Sequence, residues 1–187
     1  MDTLVTDAYG IKSDGEFVYT LEDNIRKRGA MSKLVSDRAQ SEVSNKVLDI
    51  LRNYTIDDWQ SEPYYEHQNP AERRYQIVKQ HTNAVLDKTG APPKARLLAL
   101  LYAIFLLNHV ASESLGWKTP LELLTVLTTD ISIILMFSFW EPIYFPTGYA
   151  LFYAHKPGFP SDTAERVGRF VGVGESVGDA LTFQNSH

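Results

Sequence analysis

Two carboxylates draw attention by where they fall in the chain. Asp37 closes Lys33-Leu34-Val35-Ser36, a run suited to a short strand, and Glu72 lies in the first turn of a helix that Pro70 is suited to begin. In an open α/β sheet the C-terminal ends of strands gather ligands, and a helix entering beside them can bring a second carboxylate to the same point. Carboxylate oxygens at such a point suit a hard divalent cation, Mg2+ or Mn2+. On the same helix Gln76 and Lys79 stand at i+4 and i+7 from Glu72 and share its face. From Glu72 to Arg96 the cations Arg73, Arg74, Lys79, Lys88, Lys94 and Arg96 outnumber the acids Glu72 and Asp87, although the whole chain carries a formal charge of −5. The acidic total excludes a protein that coats nucleic acid by bulk charge, so contact with a phosphate backbone would be local, through Arg73, Arg74, Gln76 and Lys79.

Each feature also has a plainer reading. Glu72 comes three residues after Asn69, a good N-cap, and could close a capping box. Asp37 could be an ordinary turn or cap aspartate, and the basic cluster a solvated helix face. His67, His81, His109 and His155 show no metal-ligand spacing and are assigned no role. The absence of cysteine removes disulfides, thiolate metal sites and cysteine nucleophiles together. With no charged segment leading into an apolar one at Met1, the expected compartment is intracellular. The apolar run from Leu97 to Leu107 is well short of the ~20 residues of a spanning helix and reads as a buried core helix, with no membrane partner.

The elements that must position these residues follow from periodicity. Leu4-Val5-Thr6 reads as a short β-like run. Ser13 and Glu16 form an S-x-x-E signal ahead of Phe17, Leu21 and Ile25 at helical spacing, with a stop near Gly29. After the strand at residues 33–36 comes a helix with Val43, Val47, Ile50 and Leu51 on one stripe, then a short strand within residues 55–59. The helix opened by Asn69 and Pro70 places Ala71, Tyr75, Val78, Thr82 and Val85 inward and stops near Gly90. A further helix covers about Lys94 to Val110, and Thr119-Pro120-Leu121-Glu122 caps another. From Ile131 to Phe183 the density of β-branched and aromatic residues, broken by Pro and Gly, predicts a small antiparallel β unit.

Val35-Ser36-Asp37, Gln68-Asn69-Pro70-Ala71-Glu72-Arg73 and Gly116-Trp117-Lys118-Thr119-Pro120 resemble copia-type retrotransposon polyproteins over nearly the whole chain. The resemblance implies an α/β fold: a partial RNase-H-like integrase core over residues 1–125, followed by a small antiparallel SH3-like β unit over 130–187. Phe159-Pro160-Ser161-Asp162 and Gly168-Arg169-Phe170-Val171-Gly172 carry the second part of the likeness. It also implies that Asp37 and Glu72 are the second and third members of a D,D(35)E triad, both catalytic and metal-binding. In the intact family two divalent ions held by three carboxylates drive DNA integration by in-line phosphoryl displacement. DNA, namely retroelement ends and target DNA, is the implied partner, with homo-oligomers possible and a nuclear or cytoplasmic-particle location.

The departures from the family pattern bear on activity. Pro70 stands where the family has glycine, and the interval between the carboxylates is one residue shorter than the motif name implies. Val126 and Thr129 replace a Gly and a Pro. The first aspartate of the family lies on its first strand, whereas Leu4 to Tyr9 matches the third, and Asp2 and Asp7 are poor substitutes. The upstream His/Cys zinc module, the protease and the reverse transcriptase are absent from this sequence. The expectation is an integrase-derived fragment, truncated at its N-terminus and impaired in catalysis. Two alternatives stay open, a non-catalytic DNA- or protein-binding remnant and a fragment that does not fold alone.

Overall fold

A computed structural model describes residues 4–36, 44–60, 70–146, 165–174 and 183–186. The chain divides into two compact units, Thr6–Ile77 and a second formed by Met1–Val5 with Val78–His187.

In the first unit, helix α1 (Asp14–Arg28) begins where Ser13 Oγ accepts the Glu16 N–H at 3.3 Å. The Glu16 carboxylate accepts the Lys12 N–H at 2.6 Å, so the reciprocal half of the capping box closes one residue upstream of the cap. Gly29, at φ 88°, ends the helix and donates its N–H to the Ile25 carbonyl. Strands β1 (Lys33–Ser36) and β2 (Asp57–Gln60) pair in parallel, with Lys33 opposite Asp57 and Ser36 opposite Gln60. Parallel neighbours need a crossover, and helix α2 (Asn45–Asn53) lies within it. Thr55 sits at φ 53°, and this turn delays β2 until Asp57. Leu21, Ile25, Val47, Ile50, Leu51 and Ile56 form the core, as the stripes on α1 and α2 anticipate; Val43 lies outside the described residues.

Residues 4–9 do not form the expected strand. Leu4 takes φ 58°, which breaks an extended run, and among the described residues no strand lies beside the segment to complete its ladder. Its polar side chains bind α1 instead. Arg28 donates from Nε and Nη2 to the two Asp7 oxygens at 3.0 and 2.7 Å, Asn24 Nδ2 donates to Asp7 at 3.3 Å, and the Tyr9 hydroxyl donates to Asp23 at 3.1 Å.

Helix α3 (Pro70–Thr89) starts in one unit and ends in the other. Val78 and Thr82 are buried, the latter returning its hydroxyl to the Val78 carbonyl at 2.8 Å. Ala71 and Tyr75, expected on the same inward stripe, are exposed, so that stripe is covered only from its third turn onward.

In the second unit a 3-10 turn (Pro93–Ala95) leads into α4 (Arg96–His109), and a further 3-10 turn (Glu113–Leu115) precedes α5 (Pro120–Thr125). Both halves of the Thr119–Glu122 capping box are present. Residues 132–136, expected to be β-rich, form one helical turn, α6 (Ser132–Met136), started by the Asp130 carboxylate accepting the Ser132 N–H at 2.9 Å. Strands β3 (Pro142–Pro146), β4 (Glu165–Val173) and β5 (Phe183–Ser186) then form an antiparallel sheet in that order. Phe170 and Val171 of β4 share a core with Ala99 and Tyr102 of α4 and with Ala95 and Phe139. Among the described residues no helix is long and apolar enough to cross a membrane.

Candidate metal and nucleic-acid site

The parallel register sets the C-terminal ends of β1 and β2 side by side, Ser36 opposite Gln60. Asp37 is the next residue after Ser36 and lies outside the described residues, as do Gln68 and Asn69, so the capping alternative for Glu72 rests on a residue the structure does not describe. Glu72 is half-buried in the first turn of α3, where the free N–H groups of the helix favour a negative charge. Both carboxylates belong to the Thr6–Ile77 unit. Their oxygens match the donor preference of Mg2+ or Mn2+, but among the described residues no group of three or more His, Asp or Glu side chains is arranged to hold a metal. Asp7, a poor substitute for the family's first aspartate, is engaged by Arg28 and Asn24.

The four residues expected at a phosphate backbone divide. Arg73, Gln76 and Lys79 are exposed. Arg74 is half-buried, donates from Nε to the Thr6 hydroxyl at 2.9 Å, and has its guanidinium pKa pushed down by burial. The reason is angular: successive helical positions step by 100°, so Arg74 lies about 200° round from Glu72, towards Val78, while Gln76 and Lys79 lie within about 40° of it.

Sequence reasoning missed one residue of this face. Tyr75 is 59% exposed, three positions after Glu72 and four before Lys79. Helical spacing assigned it to the core stripe, and no local signal separates a covered turn from an uncovered one.

No family model and no curated protein matches the chain. Solved structures do. The catalytic core domain of BIV integrase in crystal form I superposes with a TM-score of 0.51 at 18% identity, over 66% of this chain and 79% of that one. The simian T-cell lymphotropic virus intasome in complex with the PP2A regulatory subunit B56 gamma gives 0.50 at 16% identity, over 95% of this chain and 63% of that one. The HTLV-2 integrase catalytic core domain in complex with magnesium, in its trimeric form, gives 0.47 at 18% identity, over 60% and 70%. The fold is therefore α/β and resembles the RNase-H-like core of retroviral integrases.

Proposed function

We propose that this chain is an integrase-type nucleic-acid-binding module from a copia-like retroelement, with a two-carboxylate cation site at Asp37 and Glu72 and little or no strand-transfer activity of its own. The observation that carries this reading is the placement of Glu72, with exposed Arg73, Gln76 and Lys79, on a helix that follows a parallel β1–β2 pair in a fold resembling integrase cores. Arg73 and Lys79 would neutralise backbone phosphates and Gln76 would hydrogen-bond to them, fixing register along the strand. Arg74 would act indirectly, tying α3 to Thr6. Residues 130–187 would form the SH3-like unit of such a polyprotein, and retroelement DNA ends and target DNA would be the ligands, met inside the cell by a homo-oligomer.

A bound divalent ion would supply Lewis-acid stabilisation to a phosphoryl oxygen. The chain's part is to hold it through the oxygens of Asp37 and Glu72. The engagement of Asp7 by Arg28 favours a site too poor in ligands for turnover, and so the binding reading over the catalytic one.

The test is fluorescence anisotropy of a labelled DNA duplex across a salt series, with and without MgCl2. Lys79→Ala should weaken binding and lower the salt slope by about one. Asp37→Asn and Glu72→Gln should leave salt-dependent binding in place while abolishing any rise in melting temperature on adding Mg2+. Mg2+-dependent strand transfer that disappears in Glu72→Gln would overturn the non-catalytic part, and absence of DNA binding at low salt would overturn the whole.

A further inference from the structure

We infer that Tyr75 is a stacking platform for an unpaired nucleobase, a role that rests on the nucleic-acid reading above and states which part of the strand meets α3. Several observations converge on it. Its ring is 59% exposed on a helix whose later turns bury Val78 and Thr82 on the same side. Among the described residues its hydroxyl has no hydrogen-bond partner, so no polar contact there explains the ring's position. It stands at i+3 from Glu72 and at i−4 from exposed Lys79, which makes it a direct neighbour of both along the helix surface.

The chemistry follows from that neighbourhood. A cation held one turn from an aromatic face can engage a phosphate while the ring takes the attached base, the pairing of groups that single-strand-binding grooves use. A duplex hides the faces of its bases in the stack, so an unpaired base is required, at a frayed or overhanging end. Among the described residues the other exposed aromatic side chains, Tyr19, Tyr54, Trp59, Trp117 and Tyr144, lie outside the basic stretch 73–96 of the sequence.

The experiment compares the full chain with Tyr75→Ala, Tyr75→Phe and Lys79→Ala on two labelled probes, a blunt DNA duplex and the same duplex with a short single-stranded overhang. Tyr75→Ala should weaken binding to the overhang probe about tenfold, the size of one lost base stack, with the salt slope and blunt-duplex binding unchanged. Tyr75→Phe should bind as the native chain does, since the ring is kept. Lys79→Ala should weaken both probes. If Tyr75→Ala binds the overhang as tightly as the native chain, or if Tyr75→Phe loses as much as Tyr75→Ala, stacking is refuted while the nucleic-acid reading survives. If the native chain binds neither probe, that reading fails and this one with it. Equal helical circular dichroism and melting temperature in the variants exclude a folding defect, which an exposed ring gives no reason to expect.

Discussion

Residues 6–77 hold a core of branched aliphatic side chains and fasten it from outside with charge, whereas residues 78–187 pack aromatic rings and, among the described residues, take more non-glycine residues into left-handed turns than the first unit, which has Thr55. Ion pairs between described residues lie in the first unit: Asp7 with Arg28, Asp23 with Arg26 and Lys27, and Asp49 with Arg52. In the second, Phe170 lies 6.1 Å edge-on from Tyr102 and 5.4 Å from Phe137, and Tyr102 lies 5.3 Å from Phe139. Trp117, Val126 and Trp140 there have φ of 64°, 61° and 66°. The difference teaches where each unit is vulnerable: ring packing answers to volume, whereas charged ties answer to pH and salt.

The largest effect should come from the aromatic core. Phe170 is 1% exposed, and Phe170→Ala removes its ring contacts and leaves a cavity, at a cost of roughly 3–5 kcal/mol. Amide exchange should show lost protection in α4 and β4 with little change in α1 and α2. Equal loss in both would break the comparison, because the units would then be one cooperative body.

The counterpart in the first unit is Arg28→Ala. The Arg28 and Asp7 side chains are each 19% exposed, and removing the guanidinium leaves the half-buried carboxylate with the Asn24 amide but no cation, at a cost of roughly 2–3 kcal/mol. The N-terminal segment should lose exchange protection and become open to proteolysis near Tyr9, with Phe170 unaffected. An unchanged melting temperature would remove charge from the account of how this unit is held. The exposed Arg52–Asp49 pair, at 3.4 Å, should by contrast contribute almost nothing.

Val126→Gly sharpens the comparison from the other side. Val126 is a β-branched residue in the left-handed region at the end of α5, 87% exposed, where glycine carries no steric penalty. The penalty relieved, less the greater chain entropy of glycine, should stabilise the second unit by about 0.5–1 kcal/mol, read as a rise in melting temperature.

Elements with local signals were legible in the sequence. Ser13 with Glu16, and Thr119 with Glu122, announce helix starts by chemistry confined to four residues, and the Val47, Ile50 and Leu51 stripe fixes the inner face of α2. What was not legible depends on neighbours that spacing cannot reveal. Leu4–Tyr9 reads as a strand but among the described residues has no partner strand beside it, and Arg28 holds its Asp7 side chain from far along the chain. Tyr75 has the spacing of a core residue but is exposed, and Arg74 has the charge of a surface residue on a side that is half-buried. Of the candidate site, the helix face bearing Glu72, Gln76 and Lys79 came from periodicity alone. Asp37 was suggested by its place after β1, and its side chain lies outside the described residues.

The smallest effect should be a pH dependence confined to the first unit. Hydrogen bonding from Lys27, then from Arg26 and Tyr9, holds the Asp23 carboxyl below its ordinary pKa. A folded pKa below the unfolded one means that the carboxylate's contribution is complete above the unfolded value, about 3.9, and is lost as pH falls through the folded value. Tyr9 works in the opposite sense. Burial, with the hydrogen bond to Asp23 next, raises its pKa, so its contribution is present below about 10 and is lost as pH climbs through the folded value. Between those limits the tie of the N-terminal segment to α1 should be pH-independent. Asp23→Asn should flatten the acid limb of the melting-temperature profile and shift the Tyr9 ring resonances at neutral pH, while the rings around Phe170 keep theirs. An acid limb as steep in Asp23→Asn as in the native chain would assign acid sensitivity to other carboxylates and remove this tie from what distinguishes the two units.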